Sequence, residues 1–229
     1  MKEQWLTTTD GSLLLGLASL IIDVVESNCE DPLTAMVTSE VLDENHLKEG
    51  MKRGLLEVHL KPARVEPKEL VYRGVKVFFT EGREGLIAIR ELYERLPIKV
   101  LSLDYFSLYS RLAKRTAESG VEYMIVYTED GEALVFEGEK FRASLPGVRS
   151  VPALVHTHPA GHCGLSRKDV ESGLELMMDR GLMVAAVTED ACAAIMYRVG
   201  LLDEEDLLKA KEGTLGGLNS VKFVRVNLV

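Results

Sequence analysis

The sequence predicts an α/β protein of the α+β kind, a mixed β-sheet flanked by helices, and three observations carry that expectation. Short runs such as Leu55 to Lys61 alternate apolar and polar residues, longer runs such as Arg83 to Leu96 have helical spacing, and the two kinds interleave along the chain. The 229 residues, with apolar and charged fractions of an ordinary globular protein, suffice for one large domain or two smaller ones.

Taken in order, Thr9, Asp10 and Ser12 are helix-start residues ahead of a dense apolar helix that reaches Cys29. Met36 to Leu42 reads as a short strand, Asp43 to Arg53 as a polar helix, and Leu55 to Lys61 as a half-buried strand. Pro62 and Pro67 bracket a connector, and Leu70 to Thr80 is β-structure broken at Gly74. Arg83 to Leu96 is an amphipathic helix that Pro97 should end, which sets a domain boundary there: residues 1–97 as an N-terminal α/β domain, residues 98–229 as a second domain.

Beyond it, Asp104 to Ser119 reads as a helix with Asp104 as N-cap and Gly120 at its end. Val121 to Tyr127 and Ala133 to Glu137 form a hairpin across Glu129-Asp130-Gly131. A strand follows at Val151 to Thr157, a helix at Ser166 to Arg180, and a second hairpin at Met183 to Thr188 and Cys192 to Val199. Asp203 to Glu212 is a last helix and Val221 to Leu228 a last strand; Met177 and Met178 are expected in the core.

Composition excludes several classes. The formal charge is −9 and no lysine or arginine cluster stands out, which argues against nucleic acid as the main partner. The one long apolar run, Leu13 to Val25, is interrupted by Gly16, Ser19 and Asp23 and is too short to span a bilayer. Met1 to Asp10 lacks the basic start of a secretory signal, so the expected location is the cytoplasm. Cys29, Cys163 and Cys192 are odd in number and widely spaced; they do not resemble a disulfide framework and fit a reducing compartment.

The chemistry concentrates between Ala153 and Glu171. His156 and His158 stand two apart at the end of a strand, so both imidazoles point to one face. Pro159 stops the strand, and Ser166 with Asp169 three residues on marks a helix start whose first turn can face back towards the histidines. Two imidazole nitrogens and one carboxylate oxygen suit Zn²⁺ and leave a fourth tetrahedral position open, as in catalytic sites. Capping and metal binding by Ser166 and Asp169 are compatible. Zinc so held would bring the pKa of a bound water to about 7, which argues for metal-assisted hydrolysis. His162 as a fourth protein ligand would close the open position, so it is read as a loop residue, and Cys163 as a packed or redox-active thiol. His46 and His59 lack a ligand pattern and read as ordinary surface or strand histidines.

These residues, as H-x-H-P-x6-S-x-x-D, resemble the signature of the JAMM (MPN-plus) zinc metalloproteases, and Cys163 falls where many members carry a cysteine. The likeness covers roughly the last 130 residues, from about Leu101 onwards; it implies a JAMM/MPN-like catalytic domain for residues 98–229 and leaves residues 1–97 without a role. It further implies hydrolysis of a peptide or isopeptide bond after the C-terminus of a ubiquitin-like modifier, or of a sulfur-carrier protein. The family's general base corresponds to Glu122, with Glu118, Glu129 and Glu132 as alternatives, and the Ser166 hydroxyl would donate to the oxyanion. Two other readings stand beside it: a non-catalytic metal-binding scaffold, and the DNA-repair-associated branch of the same fold, which the acidic balance and Cys163 disfavour. The hydrophobicity of Leu13 to Val25 raises packing of the first domain on the second, or a homodimer through the N-terminal domain.

Overall fold

The computed structural model describes residues 4–61, 65–66, 68–82, 84–138, 150–202, 204–212 and 217–229. Strand β1 (Gln4–Thr7) leads into helix α1 (Asp10–Asn28). Thr9 caps α1 as expected: its Oγ1 accepts from the Ser12 amide at 2.9 Å, and Ser12 Oγ accepts from the Thr9 amide at 2.8 Å. Leu14, Leu15, Ala18, Ile21 and Ile22 are fully buried, so the apolar run becomes an interior helix within the chain. Gly16 lies at a close approach: a Cβ there would lie 2.6 Å from the Tyr72 hydroxyl and 2.8 Å from the Glu129 carbonyl oxygen.

A five-stranded mixed sheet follows. Strand β2 (Met36–Thr38) is shorter than expected because Ser39–Leu42 curls into a 3-10 turn. Helix α2 (Glu44–Arg53) is capped by Asp43, and β3 (Leu55–Lys61) buries Leu56, Val58 and Leu60 on one face as its alternation predicts. The run around Gly74 divides into β4 (Glu69–Tyr72) and β5 (Val75–Glu81), and β6 (Leu86–Ala88) completes the order β4-β5-β3-β2-β6. The expected connector prolines, Pro62 and Pro67, and Arg83 lie outside the described residues, while Leu86–Ala88, expected inside a helix, is strand β6 and the helix starts only at Ile89.

Helix α3 (Ile89–Asp104) corrects an expectation, for Pro97 lies inside it rather than at its end. An interior proline costs a helix about 3 kcal/mol, but Leu92, Tyr93, Leu96, Val100 and Leu101 are all buried here, much of the contact being with α1. Packing of that extent outweighs the lost hydrogen bond. The expected boundary between residues 97 and 98 therefore falls within this helix. Asp104 is a second correction. It does not cap the helix that follows it; that helix continues through a π turn at Tyr105–Tyr109 into α4 (Ser110–Ser119), which Gly120 ends at a φ of 72°. The Asp104 carboxylate is instead fully buried and accepts from Thr9 Oγ1 (2.6 Å), the Gly11 amide (2.9 Å) and the Tyr127 hydroxyl (2.6 Å).

The second sheet is built from β7 (Tyr123–Tyr127), β8 (Ala133–Glu137), β9 (Ala153–Thr157), β10 (Met183–Val187), β11 (Cys192–Arg198) and β12 (Val221–Asn227). Helix α5 (Arg167–Met178) crosses from β9 to β10, and α6 (Glu204–Lys211) precedes β12; Asp203, the expected start of α6, lies outside the described residues. The order is β1-β8-β7-β9-β10-β11-β12, so the first strand of the chain joins the sheet of its second half. Among the described residues of this sheet only β9 and β10 pair in parallel, as their helical crossover requires. Helices α1, α3 and α4 pack on one face and α5 on the other. Met177 is buried beneath α5 while Met178 is 53% exposed, a correction: neighbours on a helix are about 100° apart and cannot both face one core. On the first face Arg198 of β11 meets Glu26 of α1 with both side chains 1% exposed; Tyr93 also donates to Glu26, and Arg198 Nε donates to the Gly181 carbonyl at 2.8 Å.

Candidate metal centre

Alternation along β9 sends Leu154 and His156 to the α5 face and Val155 and Thr157 to the opposite one. The His158 amide donates to the Val187 carbonyl at 3.0 Å, which carries the extended backbone one residue past the strand and returns His158 to the side of His156. Their Nε2 atoms lie 2.9 Å apart. Asp169 reaches the same point from the first turn of α5, its Oδ2 lying 3.4 Å from His156 Nε2 and 3.8 Å from His158 Nε2. Three donors, one from each residue, thus converge and can hold one divalent metal ion.

Local bonds hold each donor in place. His158 Nδ1 lies 3.0 Å from the His162 carbonyl oxygen. That oxygen can only accept, so Nδ1 carries the proton and Nε2 keeps its lone pair for a ligand. Asp169 is fixed by a capping box: the Ser166 amide donates to Oδ2 at 2.7 Å, and the Asp169 amide donates to Ser166 Oγ at 3.2 Å. Burial pushes the Asp169 carboxyl up, but hydrogen bonding and charge from His156 and hydrogen bonds from Ser166 outweigh it and hold the carboxyl well below the ordinary carboxylate range. It is an anion ready to ligate.

The donors open into a cleft of about 690 Å³ whose lining includes Glu122, His162, Ser166 and Lys168. Glu122 immediately precedes β7. Met124 pairs with His156, and the Glu122 carbonyl accepts from the Gly138 amide at 2.9 Å, so the next residue on the same face of this ladder stands opposite His158. Glu122 Oε1 accordingly lies 3.9 Å from His158 Nε2. Of the four glutamates weighed, only Glu122 lines the cleft. Glu129 and Glu132 lie beyond the far end of β7, where Glu129 accepts from Ser150 Oγ at 2.6 Å and Glu132 is 3.7 Å from Arg73. His162 contributes its carbonyl and an exposed ring at the rim, and is not among the three converging donors. His46 lies 3.7 Å from Glu40, and His59 bonds Thr80 Oγ1 at 2.8 Å.

Two residues escaped the sequence reading. Thr157, fully buried on the face away from the metal donors, contacts Thr116 Oγ1 of α4 at 2.6 Å and accepts from the Tyr123 amide at 2.9 Å. The signal was present, since a threonine between two residues that share one face must point to the other. Cys192 had no local signal. It forms a disulfide with Cys163, which corrects the expectation that the cysteines make no bridge; only Cys29 is a free thiol. The two become neighbours because β10 and β11 form a hairpin, which brings the start of β11 to the level of the loop after β9.

Fold and site together define an α+β protein with mixed β-sheets flanked by helices and a His156-His158-Asp169 cluster capable of chelating a metal ion. In comparisons with protein-family models, curated proteins and solved structures, the chain matches none. Among the described residues no helix is long and apolar enough to cross a membrane.

Proposed function

We propose that the chain is a zinc-dependent peptidase or isopeptidase of the JAMM type, which hydrolyses the bond after the C-terminus of a ubiquitin-like modifier or sulfur-carrier protein. The observation that carries this reading is the convergence of His156 Nε2, His158 Nε2 and Asp169 Oδ2 at the floor of an open cleft that Glu122 also lines. Zinc is favoured by the donor set and by spacing. Ligands about 2.0–2.2 Å from a tetrahedral ion lie roughly 3.4 Å apart, and the three separations of 2.9, 3.4 and 3.8 Å bracket that value.

A zinc ion, when bound, supplies Lewis acidity that brings water deprotonation into the neutral range and polarises a carbonyl. The protein's own residues do the rest. Glu122 takes the proton from the attacking water and delivers it to the leaving amine, a role suited to a carboxylate at the cleft edge within one water's reach of the imidazoles. The Ser166 hydroxyl, at the N-cap of α5 beside Asp169, donates to the oxyanion of the tetrahedral intermediate. His162 keeps His158 in the tautomer that ligates.

The test incubates zinc-loaded protein and its Glu122→Gln form with linear and branched fusions of small modifiers. Cleavage by the first and not by the second, at equal zinc content, supports the proposal. Equal cleavage, or none by either, rejects it.

A further inference from the structure

Among the bonds that hold the metal donors, the one from His158 Nδ1 to the His162 carbonyl depends on a loop with little else to secure it. Within residues 159–165 the His162 amide donates to the Pro159 carbonyl at 3.2 Å and the Gly164 amide to the His162 carbonyl at 3.0 Å, both bonds internal to the loop. Ala160, Gly161 and His162 are exposed. A Cβ built on Gly161 would meet nothing within 4 Å, and one on Gly164 would meet only Arg225 Nη2 at 3.7 Å. Leu165 packs against the small cluster under α5 and anchors the loop's end. Between His158 and Leu165 the tie to the sheet is the bridge from Cys163 to Cys192, with Cα atoms 5.9 Å apart and 29 residues between them in sequence.

Its far end is firm. Cys192 opens β11, pairs with Asn227 of β12, and its carbonyl accepts from the Thr188 amide and hydroxyl, each at 3.0 Å. The near end is one residue from the carbonyl that orients His158. Both cysteines are only half-buried, so a thiolate can reach the bridge.

We propose that the Cys163–Cys192 bridge is a redox switch on the metal centre: closed, it holds the His162 carbonyl against His158; opened by a dithiol, it releases the loop and weakens metal binding. The inference rests on the reading of His156, His158 and Asp169 as a metal centre and adds its regulation. In the opening step a thiolate of the dithiol attacks one bridge sulfur to form a mixed disulfide, and its second sulfur displaces the cysteine. The bridge gains two electrons and two protons and becomes two thiols, while the dithiol becomes a cyclic disulfide. Loss of an outer partner of a metal-ligating histidine typically costs 10–100-fold in affinity.

The experiment uses the full chain and zinc alone as probe. Zinc affinity is measured by competition with a chromophoric chelator on oxidised protein and on protein reduced with a dithiol that is then removed without air. Thiol titration confirms one thiol in the first form and three in the second, and the C163S/C192S variant serves as a permanently open form. We expect zinc to bind the reduced chain and the variant about 10–100-fold more weakly than the oxidised chain. The variant should not respond to the dithiol, and amide exchange should quicken at residues 160–164 but not in β9 or α5. Equal affinity in the two redox forms overturns the switch, as does loss of the whole fold on reduction, which would make the bridge a structural crosslink. Absence of zinc binding by every form overturns the metal centre itself and is thereby distinguishable from failure of the switch.

Discussion

The Tyr123 amide donates to Thr157 Oγ1 across 2.9 Å, joining the first residue of β7 to the residue that separates the two histidines of the candidate metal centre. Thr157 is the next residue after His156 and Glu122 the residue before Tyr123, so one buried hydroxyl sets the position of the proposed base relative to the ligands. Thr157→Val keeps the shape of the side chain and removes this acceptor and the contact with Thr116. It should cost about 1–3 kcal/mol in urea unfolding, the penalty for leaving a buried donor unpaired. It should also lower kcat while zinc content stays unchanged.

Replacement of Glu122 by Gln removes a proton acceptor but no donor of the cluster. Zinc bound per chain, measured by elemental analysis, should be unaltered, and turnover should fall about 10²- to 10⁴-fold. Ser166→Ala should lower turnover about 10²- to 10³-fold and, because Ser166 caps α5, should also reduce stability by about 1 kcal/mol.

Removal of any converging donor, by His156→Ala, His158→Ala or Asp169→Asn, should abolish stoichiometric zinc. An ion bound only by the folded chain stabilises it by about 2.7 kcal/mol at one hundred times its Kd. Calorimetry should therefore show a zinc-dependent rise in Tm for the wild type and none for the three variants.

Asp104 should leave a signature in the pH dependence of stability. Burial raises its carboxyl above the ordinary 3.8, and the hydrogen bonds from Thr9, Tyr127 and Gly11 lower it without cancelling that rise. The folded state then holds its proton more tightly than the unfolded state. The contribution is fully present below 3.8 and is lost as pH rises through the folded value. Asp104→Asn does not titrate, so the stability difference, wild type minus variant, should decline over that interval and level off above it. A flat difference in urea unfolding across the range would contradict the assignment.

Glu26→Ala would leave the Arg198 guanidinium buried without its counterion and should destabilise the fold by about 3–5 kcal/mol. Replacing both residues by apolar ones of similar volume should cost much less, because no uncompensated charge then remains.

The candidate metal donors were legible in the sequence because their geometry is local. Two-residue alternation puts His156 and His158 on one face, and the three-residue reach of a capping box puts Asp169 at the start of α5. The helix run after Thr9 and the two hairpins of the second sheet were legible for the same reason. Pro97 and Asp104 misled because each carries a strong local preference, as helix breaker and helix cap, that burial against α1 and Tyr127 overrides.

By itself, then, the sequence determined the interleaved strands and helices and the two short segments that carry the three candidate ligands, since backbone periodicity is written into neighbouring residues. Only the tertiary structure decided that Glu122 stands opposite His158, that Thr157 locks the two strands together, that Cys163 finds Cys192, and that β1 joins the second sheet. Those relationships depend on strand register and on which surfaces exclude water together, and distant segments acquire them only when the whole core closes.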